Sequence, residues 1–262
     1  MTHFFAVLLA VVFFSVAPVL AEDEDKNVEL LYPLTLRRPV LETLLDLTAT
    51  HAKGRDERET ELAAEIEWHA LPRWLISLEI PAVIVSPENR RTFGGLSDIG
   101  IENRFLLFRS LEHQTQVTGG FEVRLPSGSK SRGLGGETTI EPFLAGGIKF
   151  NRLQLLADTA YEWVLNSPEH GERKQELGAG LALGYELTEG FLPLLELKTV
   201  RMVRGENDEN GPKLRRKGQV YLTPGFNLEV LKETTLRFGV ELPVTRAREF
   251  DYMLRLGVSI EF

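Results

Sequence analysis

The sequence predicts an all-β chain, a 12-stranded up-and-down antiparallel transmembrane β-barrel over residues 41–262. Three observations carry this. Past residue 40 the hydropathy alternates with period two almost everywhere, the pattern of strands with one apolar face. The alternating runs number twelve, each of roughly ten residues or more; ordinary strands average about five or six, and a tilted strand needs about nine to eleven to cross a bilayer. The connections between them take turns, short then long, as in barrels with short periplasmic turns and long outer loops.

Composition sets the frame. The chain has 262 residues, 43% hydrophobic and 26% charged. Past the N-terminus no run of about 18 apolar residues exists, which excludes a helical membrane protein. The net charge is −8, which disfavours nucleic acid as a partner. There is no cysteine, so neither a disulfide framework nor a thiolate site is available.

The elements follow in order. "FFAVLLAVVFFSVAPVL" spans residues 4–20 and ends at Val19-Leu20-Ala21, a small-x-small cleavage site, before the acidic "EDEDK". Residues 1–21 therefore read as a secretory signal peptide, with an uncleaved anchor helix as the alternative. Residues 22–40, "EDEDKNVELLYPLTLRRPV", fit no spanning strand. They are expected to be a periplasmic lead segment or a short lumenal plug. The strands are expected at 41–50, 58–69, 74–86, 97–108, 113–125, 138–150, 153–165, 175–187, 191–203, 218–230, 233–245 and 249–262. One face of each is apolar. The second offers Leu62, Ala64, Ile66 and Trp68, and the eighth Leu177, Ala179, Leu181, Leu183 and Tyr185. The short connections are 70–73, 110–113, 151–152, 188–190 and 231–233. The long ones are 51–58, 87–97, 126–138, 166–174, 204–218 and the modest 245–249. An even strand number puts both termini on the periplasmic side.

Trp68, Trp74, Phe150, Tyr185, Phe191 and Phe262 share the lipid-side parity and adjoin short turns or the C-terminus, which predicts a periplasmic aromatic girdle. A C-terminal aromatic such as Phe262 on a final strand resembles the signal read by barrel-assembly machinery. The other expected partners are outer-membrane lipid and a small-molecule solute.

The opposite parity carries charge. Glu65, Glu79, Glu102, Arg104, Asp158, Glu162, Glu196, Lys198, Arg237, Glu241 and Arg255 are expected in the lumen, since a cation on the lipid face at the midplane costs about 2–4 kcal/mol. They would form either an ion-pair network that fills a narrow barrel or a constriction that sorts solutes. Gly178, Gly180 and Gly184 leave the inner face of the eighth strand almost bare. Strand curvature and free space for a solute are the two readings.

No catalytic constellation emerges. Ser167 and His170 share one loop, without a third group. "ENDENG" (206–211) lacks a full Ca²⁺ ligand pattern, and "GLGG" (133–136) has no helix after it to bind phosphate. No metal, cofactor or enzymatic step is implied.

"GGLSDIGIENRFLLF" (94–108) and "FEVRLPSGSKSRGLGGETTIEPFLAGG" (121–147) resemble the outer-membrane family labelled MetA-pathway of phenol degradation. The matching positions are Gly95, Asp98, Leu125, Pro126, Gly128, Gly133, Gly135 and Pro142. Glu102 and Asn103 depart from the family's apolar or basic residues. The resemblance implies a barrel that moves small compounds, aromatic or hydrophobic ones as candidates. The expectation is therefore a transporter-like, porin-like barrel in the outer membrane of a Gram-negative bacterium. A closed structural or adhesion barrel acting through its outer loops is the alternative, and a rim hydrolase the minor one.

Overall fold

A strand with one apolar and one polar face can meet lipid on one side and packed polar groups on the other. It can do so only if every backbone N–H and C=O finds a partner, which in lipid requires a sheet closed on itself. The computed structural model describes residues 27–165, 175–204 and 218–262. The signal peptide expected over residues 1–21 lies outside the described residues.

The strands are β1 (Leu44–Lys53), β2 (Glu57–Leu71), β3 (Trp74–Pro87), β4 (Phe93–Leu96), β5 (Ile99–Ser110), β6 (Thr115–Leu125), β7 (Thr139–Phe150), β8 (Leu153–Val164), β9 (Gln175–Tyr185), β10 (Phe191–Arg204), β11 (Gln219–Leu231), β12 (Thr234–Pro243) and β13 (Tyr252–Glu261). Around the barrel each neighbouring pair is antiparallel, and β13 returns to β1, with Leu44 opposite Glu261 and Lys53 opposite Tyr252. The result is a closed 12-stranded barrel in which β4 and β5 together fill one position. The expected alternation holds in space. Leu62, Ile66, Ile80, Leu177, Leu181, Leu183 and Leu256 stand exposed on the outside, while Gln116, Thr118, Glu196, Thr223 and Glu241 are buried within.

The structure corrects the sequence reading in two places. The strand expected at 97–108 forms as β5, but the connection expected at 87–97 adds a short strand, β4, set off from β5 by Ser97–Asp98. β3 pairs with β4 at Ala82–Val85 and with β5 at Trp74–Glu79. The ladder breaks because Asp98 turns its carboxylate to the 126–138 loop. It accepts the backbone N–H groups of Gly128 (2.8 Å), Gly136 (2.8 Å) and Glu137 (3.2 Å). Leu134 of that loop then packs inward on Val83 and Val85. Gly135 sits at φ +125°, and a Cβ there would lie 2.5 Å from the Asp98 carboxylate. The second correction concerns 51–58, expected as a long loop. Only Gly54–Asp56 separate β1 from β2, and the Gly54 N–H closes the hairpin on the Glu57 carbonyl at 2.9 Å. Short and long connections therefore do not alternate strictly.

Residues 27–43 form no ladder. They enter the barrel, bend at 34–36 and return to β1. Val28, Leu30, Leu31 and Val40 pack on Leu156, Ala182, Leu192 and Leu194 of the inner wall. Leu41 packs on Leu75 and Leu106 on the other side. The two arms are tied by the Arg38 guanidinium, which donates to the Leu30 carbonyl at 3.1 and 3.2 Å.

Candidate functional site in the lumen

The inner face of a barrel strand must place polar groups where water is scarce, so each needs a partner. Here the partners come largely from the chain's own N-terminal segment. The Leu34 and Thr35 N–H groups donate to the two Glu196 oxygens at 2.7 and 2.8 Å. Leu31 N–H donates to Gln154, and Asn227 donates to the Tyr32 carbonyl at 2.9 Å. Arg237 donates to the Pro33 carbonyl at 3.0 Å and pairs with Asp46. Four strands, β8, β10, β11 and β12, thus hold one short stretch of extended chain.

Arg37 is the densest node. Its N–H groups reach Glu102 of β5 (3.0 Å), Glu122 of β6 (2.7 Å) and Glu141 of β7 (2.5 Å). Its guanidinium lies 4.6 Å from the centre of the Phe143 ring. Its own backbone N–H donates to Asp158 at 3.1 Å. Gly120 makes room for the ring, since a Cβ there would come 2.9 Å from Phe143 Cζ and closer still to the Asn103 carbonyl. Around this node the charges pair in series. Arg104 bridges Glu102 (2.7 Å) and Glu67 (3.2 Å) and caps the Val40 carbonyl. Arg124 holds Glu122 at 2.7 Å and stands 3.9 Å from Glu79. Across the barrel Arg255 pairs with Glu241 at 2.6 Å.

The sequence-derived lumen residues therefore divide. Glu79, Glu102, Arg104, Asp158, Glu196 and Arg237 meet the segment or its first neighbours. Glu241 and Arg255 form a separate pair. Glu162 and Lys198 make no ion pair among the described residues. Arg37, Tyr32 and Glu141 were missed. The signal for the first was there: "LRRP" puts two arginines into an otherwise apolar segment that fits no strand.

Gly180 and Gly184 do not border free space. A Cβ on Gly180 would lie 2.7 Å from Leu36, and one on Gly184 2.7 Å from Leu31. Gly147 does the same for Leu30, and Gly225 and Gly239 for Leu34. These glycines are slots for the leucines of the segment. Gly178, higher on β9, meets nothing nearer than 3.9 Å.

A cavity of about 250 Å³ remains beside the segment. Its lining includes Glu65, Glu67, Glu79, Glu102, Glu122, Arg37 and Arg104. At the short-turn end the six aromatics sit at strand ends or beside turns. Phe150, Tyr185, Trp68 and Phe262 are exposed on the outside, while Trp74 and Phe191 are half-buried. Trp74 donates its indole N–H to Asn103 at 3.2 Å, which satisfies an amide on the outer face. Of the hydrolase candidates, Ser167 and His170 lie outside the described residues, as does the 206–211 loop.

No family model and no curated protein matches this sequence. Solved structures do. An outer-membrane channel from Pseudomonas putida F1 superposes with a TM-score of 0.68 at 12% identity, over 89% of this chain and 100% of that one. The NanC porin gives 0.58 at 14% identity, over 83% and 100%. The KdgM porin, in complex with disordered oligogalacturonate, gives 0.53 at 11% identity, over 83% and 99%. The likeness is one of fold. With an apolar exterior and a closed ladder, it is the fold of an outer-membrane β-barrel, which places the chain in a bacterial outer membrane.

Proposed function

We propose that this barrel is a channel for small solutes whose lumen is filled by its own residues 27–43, a plug that must shift for passage. One observation carries the reading. The segment is held by leucines in glycine slots, by side chain to backbone hydrogen bonds and by the Arg37 ion pairs, with no ladder and no disulfide joining it to the wall. Such contacts can be exchanged without breaking the barrel. The charges around the remaining cavity favour polar solutes over hydrophobic ones. Small aromatic solutes, the finer reading, rest on the resemblance at 94–108 and 121–147.

A second reading has its own support. The filled, ion-paired lumen also fits a closed structural or adhesion barrel that acts through its outer loops. Liposome swelling separates the two. Purified protein and a variant lacking residues 28–42 are reconstituted and exposed to small sugars and amino acids. A channel gives slow swelling with the full chain and several-fold faster swelling with the variant. No swelling with either, from correctly folded protein, would leave the closed barrel.

A further inference from the structure

The Arg37 node has the build of a binding site whose occupant is part of the chain. We propose that Glu102, Glu122, Glu141 and Phe143 form a recognition site for the guanidinium group of a cationic solute. In this state Arg37 occupies it as a tethered stand-in. This inference rests on the channel reading above and adds the class of solute.

Three features of the site argue for it. The first is the geometry around the guanidinium. Three carboxylates from three successive strands reach its N–H edge at 2.5–3.0 Å, and an aromatic face covers it at 4.6 Å. A planar cation is read by such an arrangement in a way that a point charge is not. The second is the charge balance. Glu102 and Glu122 are shared with Arg104 and Arg124, but Arg37 is the partner of Glu141 among the described residues. Withdrawing Arg37 leaves buried carboxylate charge without compensation, which a cation of the same shape restores. The third is the approach. The inner face of β2 reads Glu57, Glu59, Glu61, Ala63, Glu65 and Glu67, from the long-loop end toward the plug. The cavity lined by Glu65, Glu67 and Glu79 then continues to Glu102, Glu122 and Arg37. A cation from outside meets the β2 carboxylates before it reaches the cage.

The consequence is competition. A guanidinium that enters the cage displaces Arg37, and the 34–38 bend loses its strongest anchor. Binding of ethylguanidinium chloride to the full-length protein in detergent, measured by calorimetry for wild type and Arg37→Gly, tests this without any demand on conductance. The vacated cage is expected to bind ethylguanidinium about tenfold more tightly than the occupied one. Sodium chloride at equal ionic strength should have no effect, and adding Glu141→Gln to Arg37→Gly should abolish the gain. Equal binding to wild type and Arg37→Gly, or none to a folded Arg37→Gly protein, would overturn the proposal. Should Arg37→Gly fail to fold, the wild type alone decides. Arginine ethyl ester should then speed protease cleavage of the N-terminal segment several-fold over sodium chloride, and an unchanged rate would overturn it. A silent channel combined with tight ethylguanidinium binding would sink the transport reading and keep the site.

Discussion

At the scale of single residues, the barrel's glycines are explained by what fills the space in front of them. Gly225 and Gly239 both face Leu34, and a Cβ on either would overlap it. Replacing Gly239 with valine, where the Leu34 side chain alone lies within 3 Å of the added Cβ, should therefore push out the 34–36 bend while the ladder persists. The expected result is faster protease cleavage within 27–43 with unchanged heat-modifiable migration of the barrel. Unchanged cleavage would mean that the slot is not what holds Leu34. Asp98 acts on a different element. Its carboxylate accepts three backbone N–H groups of the 126–138 loop, and leaving them without an acceptor costs about 1–3 kcal/mol. Asp98→Ala should open trypsin access at Lys130 and Arg132 in intact outer membranes, and equal cleavage rates would count against the clasp.

At the scale of elements, most strands were legible because period two is a direct consequence of a wall between two environments. Residue parity alone placed Leu181 outside and Glu196 inside, as the structure has them. The prediction that follows is one of sides. Leu181→Arg, on the outer face at the middle of β9, should weaken folding into lipid vesicles by about 2–4 kcal/mol in a urea titration. The same change at Gly178, one of the open inner positions, should cost far less; equal losses would contradict the assignment of faces. What was not legible depended on pairing across long sequence separations. The break at Ser97–Asp98 is set by N–H groups some thirty to forty residues away, so the short strand β4 before it was hidden in an expected loop. The β1–β2 hairpin is short because the ladder continues through polar residues such as Thr60 and Glu59, which pair as well as apolar ones do. Residues 27–43 carry no periodicity, because they pair with no strand and their side chains meet several strands in irregular order.

At the scale of the whole molecule, closure and filling are separate problems with separate solutions. The wall closes through β13 on β1, and the Phe262 N–H reaches the Thr43 carbonyl at 3.2 Å, where the plug passes into the first strand. Phe262 itself is largely exposed on the outer side. Its deletion should lower the outer-membrane level of the protein more than deletion of any three residues of the 204–218 connection. Equal levels would remove its role in assembly. The interior is filled by a segment held through side-chain contacts and hydrogen bonds and not through a ladder. The candidate site was partly visible in the sequence: parity placed Glu102 in the lumen, but neither Glu141 nor their partner Arg37.

The most direct test is single-channel conductance in planar bilayers, with wild type compared with the variant lacking residues 28–42. A lumen governed by its plug predicts small or intermittent conductance for the full chain and a stable conductance several-fold larger for the variant. Equal conductance from the two, or no conductance from a folded variant, would contradict it.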